Sequence, residues 1–146
     1  MKASDFFSNE QKGEIVNAIK MAEHETSGEI RVHLDLRCKV ELLDRAAHIF
    51  AKLKMHKTHL RNGVLFYLAI EDQKFAIIGD AGIHKVLPPD FWDKVKEKMQ
   101  EYFKQAKFTD GLVHGIILAG EKLKTHFPHK KDDVNELPDE ISFGKN

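Results

Sequence analysis

The chain has 146 residues, the size of one ordinary domain, and its single cysteine excludes an internal disulfide framework and a multi-cysteine zinc site. Its 23 basic and 23 acidic residues leave no net charge, so no overall basic field is available to bind nucleic acid. No run approaches the roughly 18–20 apolar residues that span a membrane, and the polar start does not resemble a signal peptide. We therefore expect a cytoplasmic protein that does not insert into a membrane.

The first predicted elements are a helix and an alternating strand. Ser8 fits the N-cap of a capping box, and apolar residues at helical spacing predict a helix over residues 9–25. Residues 29–35 then alternate strictly between an apolar and a polar face, the latter carrying Glu29, Arg31, His33 and Asp35. This polar face is either exposed to solvent or part of a site. Because His33 has charged neighbours there, we expect it to be ion-paired structure rather than a catalytic base.

A second helix and a hairpin follow. An apolar stripe predicts a helix over residues 41–55. Two apolar runs, residues 64–70 and 75–78, are separated by a short polar turn, which is typical of a β-hairpin. Because neither run alternates with polar residues, we expect both strands to be covered on two faces.

The remainder predicts two more helices and a polar tail. Pro88-Pro89-Asp90 marks the start of a third helix, because proline is favoured in the first helical turn. Thr109 is the predicted cap of a fourth helix, the most apolar of the chain. From Pro128 onward polar and charged residues dominate. We expect a domain over residues 1–127 and a poorly ordered tail over residues 128–146.

The predicted order of elements, α-β-α-β-β-α-α, specifies a fold class. A helix joins the first two strands, so they should run parallel through a right-handed crossover, while the third strand returns antiparallel. We therefore expect an α/β fold, a three-layer α/β/α sandwich on a small mixed β-sheet with helices on both faces. We expect this domain to be a monomer.

The predicted topology places oxygen-bearing side chains at one edge of the sheet. The starts of the first two strands and the end of the third meet there, which brings Glu29, Asn62 and Asp80 together. Two carboxylates and an amide are hard oxygen ligands that suit calcium, with magnesium as the alternative. The other interpretation is that Asn62 and Asp80 are turn residues only, since such side chains often bond their own backbone.

Four segments of the chain resemble successive blocks of the TPM domain family. They are Thr26-Ser27-Gly28-Glu29-Ile30, Arg61-Asn62-Gly63-Val64-Leu65, Ile78-Gly79-Asp80-Ala81-Gly82-Ile83 and Phe103-Lys104-Gln105-Ala106-Lys107-Phe108-Thr109-Asp110-Gly111-Leu112. The resemblance implies an α/β/α sandwich and, as in several members, calcium binding. It also implies the acid phosphatase activity attributed to plant members.

The resemblance also assigns positions to the candidate ligands. Glu29 falls in the threonine-glycine-acid block, Asn62 in the Asp-Asn-Gly block and Asp80 in the glycine-rich turn after the third strand. Arg61 stands where many members have the aspartate of Asp-Asn-Gly, so a cation replaces one candidate oxygen ligand. Most members carry a signal peptide and a membrane anchor, and this chain resembles a stand-alone, soluble version of the domain.

Three functional hypotheses follow. The first is a calcium-binding module that acts through an unidentified protein partner. The second is a metal-assisted acid phosphatase, by analogy with the plant members. The third is a partner-binding domain whose acidic edge is merely solvated, and it predicts no specific binding of divalent cations.

Overall fold

A four-stranded mixed sheet with helices on both faces forms the centre of the protein. The computed structural model describes residues 1–130 and 135–145. In chain order its elements are α1 (Asn9–Glu25), β1 (Glu29–Asp35), α2 (Leu42–Lys52), β2 (Gly63–Ala69), β3 (Lys74–Gly79), α3 (Ala81–Val86), α4 (Asp93–Phe103), α5 (Phe108–Leu123) and β4 (Ser142–Phe143). Within the described residues, no helix combines the length and apolar character needed to cross a membrane.

The strand order in the sheet is β3-β2-β1-β4. β1 and β2 run parallel, from the pair Glu29 and Gly63 to the pair Asp35 and Ala69. β3 returns antiparallel to β2, and β4 runs parallel to β1 on its other side. The parallel pair and the antiparallel hairpin confirm the predicted mixed sheet.

Two apolar layers hold the helices against the sheet. On one face, side chains of β1 and β2 pack with α1, α4 and α5; this layer includes Ile19, Ile30, Val32, Leu34, Val64, Phe66, Leu68, Met99 and Ile116. On the other face, alternate residues of β2 pack with α2; this layer includes Ala46, Ile49, Phe50, Leu65, Tyr67 and Ala69. Every residue of β2 is buried because both faces of the strand are covered. The three-layer α/β/α sandwich is confirmed.

Three elements differ from the sequence-based expectation. The second helix ends at Lys52, because Lys54 takes a left-handed backbone with φ of 58° before a short 3-10 turn at Met55–Lys57. β3 begins at Lys74, an exposed residue that the sequence places in the turn, whereas the apolar run 75–78 contacts the apolar layers on both faces of the sheet. A short helix, α3, directly follows β3, and the Asp80 side chain caps its N-terminus.

The C-terminal segment is the largest difference. Ser142–Phe143 form β4 and pair with β1, so the prediction of a poorly ordered tail over residues 128–146 is wrong for this part. A two-residue strand gives no periodic signal in the sequence, and its pairing depends on the open edge of β1. The predicted tail also includes residues 131–134 and 146, which lie outside the described residues.

Two helical glycines give a matched test of the α1–α5 contact. A Cβ at Gly120 would lie 2.8 Å from the Ala22 Cβ, whereas a Cβ at Gly13 would meet nothing within 4 Å. We expect Gly120→Ala to lower the free energy of unfolding by about 1–3 kcal/mol, because the helices must separate. We expect Gly13→Ala to raise it by about 0.5–1 kcal/mol through helix propensity. Urea unfolding of both variants measures the difference, and equal effects of one sign would contradict the close contact.

Candidate functional site

The polar face of β1 is buried, and its side chains hold the C-terminal segment. Glu29 is 4% exposed, and its Oε1 accepts a hydrogen bond of 2.7 Å from the backbone N–H of Glu136. Two residues on, Arg31 Nη2 donates to the Glu140 carbonyl at 3.0 Å. Alternate residues of a strand share one face, so these contacts form a row along β1. The polar face of β1 is thus covered by the chain itself.

The row ends in a polar network at the carboxyl end of β1. His33 Nδ1 lies 2.8 Å from Ser142 Oγ, and His33 Nε2 lies 2.9 Å from Asp35 Oδ1. Asp35 Oδ2 also accepts from Arg45 Nε at 2.9 Å and from the Tyr67 hydroxyl at 2.6 Å. Burial raises the pKa of Asp35, but these three donors outweigh it and hold that pKa below its usual range. His33 thus lies at ion-pairing distance from the Asp35 carboxylate, as expected, and both of its ring nitrogens have partners within the chain.

At the amino end of β1, carboxyl groups face one another. Glu23, in the last turns of α1, accepts a 3.1 Å hydrogen bond from the Ile30 backbone N–H. The Glu23 carboxyl also forms side-chain hydrogen bonds with the carboxyls of Asp139 and Glu29. We call Glu23, Glu29 and Asp139 the acid cluster. It borders a cavity of about 230 Å³ that is also lined by Ser27, Gly28 and Asn135.

Burial and mutual contact raise the pKa values of Glu23 and Glu29 and make both carboxyls hard to ionise. Burial, followed by the hydrogen bond with Asp139, raises the pKa of Glu23 to about 10. Burial also raises the pKa of Glu29, against the hydrogen bond from Glu136. Glu29 Oε2 is fully buried and has no hydrogen-bond partner within 3.5 Å among the described residues, while the Leu137 backbone N–H also acts on this carboxyl and opposes the rise of its pKa. Its carboxyl neighbour Glu23 can bond to it only while carrying a proton, so the cluster needs a proton or a cation to neutralise it.

Asn62 lies beside the acid cluster, as its predicted position requires. Its backbone carbonyl accepts from the Glu29 N–H at 3.3 Å, and its side-chain Nδ2 lies 3.3 Å from the Ser27 carbonyl. Ser27 also lines the acid-cluster cavity. The predicted sheet-edge topology therefore brings Asn62 and Glu29 together.

Asp80 reaches the same sheet edge through its backbone, but its side chain has another partner. Its N–H donates to the Gly63 carbonyl at 2.9 Å. Its two carboxylate oxygens accept from Arg61 Nε at 2.7 Å and Nη2 at 2.8 Å, a bidentate pair. Burial raises the pKa of Asp80, and the bonds from Arg61 and Ala81 reverse this to a net lowering. Arg61 thus neutralises Asp80, the one charged predicted ligand that lies outside the acid cluster.

The described residues hold no preformed coordination sphere. Among residues 1–130 and 135–145, no group of three or more His, Cys, Asp or Glu side chains is arranged to hold a metal ion. The carboxyls of the acid cluster are instead placed to share protons. A cation would have to displace those protons and draw the side chains around itself.

Replacing Glu23 by glutamine tests the protonation of the acid cluster without any metal. The unfolded chain releases this proton near pH 4.5 and the folded chain near pH 10, so stability falls as pH rises between those values. In EDTA at neutral pH we expect Glu23→Gln to raise the free energy of unfolding by about 1 kcal/mol, because the amide needs no proton to stay neutral. Thermal unfolding from acid to alkaline pH measures this gain. A variant with unchanged stability and an unchanged pH slope would contradict the shared proton.

Sequence reasoning identified Glu29 but missed the other two carboxyls of the cluster. Glu23 lies on α1 and Asp139 in the C-terminal segment, so neither belongs to the predicted edge of the sheet. The one sequence signal for such partners was the polar face of β1, because buried polar side chains need hydrogen-bonding partners. The sequence did not reveal which segment supplies them.

Comparisons with known proteins agree with this fold. The family model of the TPM domain matches residues 1–121. The NMR structure of the BA42 protein from the psychrophilic bacterium Bizionia argentinensis is 50% identical in sequence and superposes with a TM-score of 0.91, covering 95% of this chain and 96% of that one. No curated protein matches significantly.

Two more distant structures share the fold alone. The N-terminal domain of a protein from P. gingivalis is 17% identical, with a TM-score of 0.68 over 85% of this chain and 82% of that one. The N-terminal domain of the cg2496 protein from Corynebacterium glutamicum is 12% identical, with a TM-score of 0.63 over 98% and 83%. The sandwich therefore persists where little sequence identity is left.

Proposed function

This chain belongs to the TPM domain family, and we propose that it is a divalent-cation-binding module, with calcium as its ion, that acts through a protein partner. The observation that carries the proposal is Glu29 Oε2, a buried carboxylate oxygen that has no hydrogen-bond partner among the described residues and lies beside further carboxyl groups. Such an oxygen costs free energy unless a proton or a cation neutralises it.

The chemistry of the acid cluster suits a hard cation. Glu23, Glu29 and Asp139 offer carboxylate oxygens, and calcium takes six to eight oxygen ligands in a flexible geometry. The adjoining cavity of about 230 Å³ has room for the water molecules that complete such a sphere. Magnesium demands a more regular octahedron, and we therefore place it second.

Asn62 and Asp80 are the other two ligands that the sheet edge suggests, and they differ in their partners. Asn62 bonds Ser27 on the wall of the acid-cluster cavity, so it would join the site with Glu29. Asp80 would have to leave Arg61 to bind an ion. We propose that the ion binds at the acid cluster and that Arg61 supplies the positive charge that Asp80 needs.

Ion binding would act on the partner through the C-terminal segment. Glu29 and Glu23 lie on β1 and α1, whereas Asp139 belongs to the segment that β1 holds. A bound ion would fasten residues 135–140 to the sheet, because it would replace the shared protons with a cation that attracts the carboxylates of both segments. We propose that a protein partner binds to this C-terminal segment.

A titration with calcium and magnesium, followed by amide chemical shifts, tests the proposal. We expect saturable shifts, larger with calcium, clustered at residues 23–30 and 135–140. Diffuse shifts that grow linearly with ion concentration would overturn it and favour a partner-binding domain with a merely solvated edge. Glu14→Gln, which removes an exposed carboxylate elsewhere on α1, is the matched control and should leave the shifts unchanged.

The Asp80→Ala variant locates the ion. If the shifts of the acid cluster persist in this variant, Asp80 is not a ligand, which is the result we expect. If they vanish in Asp80→Ala and persist in Glu29→Gln, the ion binds on the Arg61 side of the edge and the acid cluster is not the site.

The metal-assisted acid phosphatase stays a second hypothesis that no specific contact favours. Asp80, the predicted metal ligand on which it would depend, is bound at both oxygens by Arg61. It predicts turnover of a generic phosphomonoester that is lost in Asp80→Ala. No turnover by the purified protein, or turnover that survives the substitution, would reject it.

A further inference from the structure

A cationic cleft lies at the carboxyl end of β1, opposite the acid cluster. It runs between α2 and β4, has a volume of about 550 Å³, and opens beside the Ser142 and His33 side chains. Its cationic lining residues are Arg37, Lys39, Arg45, Lys52 and Lys145. Because the chain as a whole has no net charge, this concentration of one sign is local.

The cleft has almost no compensating negative charge. Its one acidic lining residue, Asp35, is already bound by Arg45, Tyr67 and His33. Arg37 pairs with the exposed Glu71 at 2.6 Å, outside the lining. An anion entering the cleft would therefore meet cations rather than a free carboxylate.

Three lysines of the cleft are available to a ligand. Within the part of the chain that the structure describes, Lys39, Lys52 and Lys145 have no carboxylate within 4.0 Å of their ammonium groups, whereas Lys98 and Lys124 elsewhere do. They approach the cleft from three different segments: the loop after β1, the end of α2 and the residues after β4. Charges that converge from separate segments surround a ligand instead of lining one side of it.

The position of the cleft also fits a ligand site. β1 and β4 run parallel, so both carboxyl ends open at this edge of the sheet. From β1 the chain crosses through α2 to β2 on one side, while β4 arrives on the other side. In open α/β sheets, ligands bind outside the carboxyl ends of the strands, which is where this cleft lies.

We propose that this cleft binds a small phosphate-bearing anion. Ammonium and guanidinium groups are the usual partners of phosphate, and the volume lies in the range of small-molecule sites. The Ser142 hydroxyl, whose Oγ lies 2.8 Å from His33 Nδ1, offers a polar contact in the lining of the cleft. The inference does not rest on the calcium proposal, because the two sites occupy opposite ends of β1.

Titration of the whole protein with inorganic pyrophosphate in EDTA tests this inference, since the chelator removes any divalent bridge. We expect saturable amide shifts at residues 36–40 and 142–145. The double variant Lys52→Gln, Lys145→Gln should weaken binding about tenfold. The double variant Lys85→Gln, Lys96→Gln removes the same charge from exposed positions outside the cleft and should change the affinity less than about twofold.

Three results would contradict a specific phosphate site in this cleft. Shifts that never saturate, or that spread evenly over surface lysines, would overturn the site. Equal weakening by both double variants would show a general charge effect and would also overturn it. Citrate, a carboxylate trianion, serves as the comparison, and binding as tight as that of pyrophosphate would overturn the assignment to phosphate.

Discussion

The Asp35→Ala variant is expected to lose about 3–5 kcal/mol of the free energy of unfolding, which is the cost of removing one partner from a buried ion pair. Asp35 accepts hydrogen bonds from His33, Arg45 and Tyr67 at once. Without it, the Tyr67 hydroxyl and the His33 ring stay buried without their acceptor. The hydrogen bonds of Asp35 join β1, β2 and α2, so their loss should weaken the whole sandwich.

Urea unfolding at neutral pH measures this loss. The matched control is Glu71→Ala, which removes the exposed pair with Arg37 and should cost less than about 1 kcal/mol. The lowered pKa of Asp35 also fixes a pH window: its contribution is present above the usual value of 3.8 and is lost as pH falls below it. An Asp35→Ala variant within about 1 kcal/mol of the unaltered protein would contradict the role of this network.

The Glu29→Gln variant is expected to lose the stabilisation that calcium gives the unaltered protein. At a calcium concentration 100 times Kd, ion binding to the folded state adds about 2.7 kcal/mol, which raises Tm by about 10 °C for a domain of this size. The glutamine oxygen can still accept from the Glu136 N–H, so the variant should fold. It lacks the carboxylate charge that the ion requires.

Thermal unfolding with and without calcium measures both proteins. Glu14→Gln is the control and should keep the full shift in Tm, because its carboxylate is exposed and distant along α1. If calcium stabilises the Glu29→Gln variant as much as the unaltered protein, Glu29 is not a ligand of the ion.

The sequence predicts the hairpin and the parallel crossover well, for a physical reason. β2 is buried on both faces, so its continuous apolar run leaves few alternatives. β1 alternates strictly, which identifies it as a strand with one polar face. What covers that face depends on contacts with Glu136, Glu140 and Ser142, far away in the chain. A polar segment of this kind carries no local pattern that predicts where it docks.

The candidate site is predictable only in part. Edge topology places Glu29 beside Asn62, as the backbone bond between them shows. The pairing of Asp80 with Arg61 could not be read from the sequence, because Arg61 adopts a left-handed backbone with φ of 52°. Local propensity gives no warning of such a conformation in a non-glycine residue.

The central claim is that an ion replaces a shared proton in the acid cluster. The most direct test of this claim is to count the protons that calcium displaces. Calorimetric titrations at about pH 7.5, in two buffers of different ionisation enthalpy that do not bind calcium, give this number. Since the pKa of Glu23 is raised to about 10, we predict release of about one proton per calcium bound. Calcium binding without proton release, or no binding heat at all, would contradict the account.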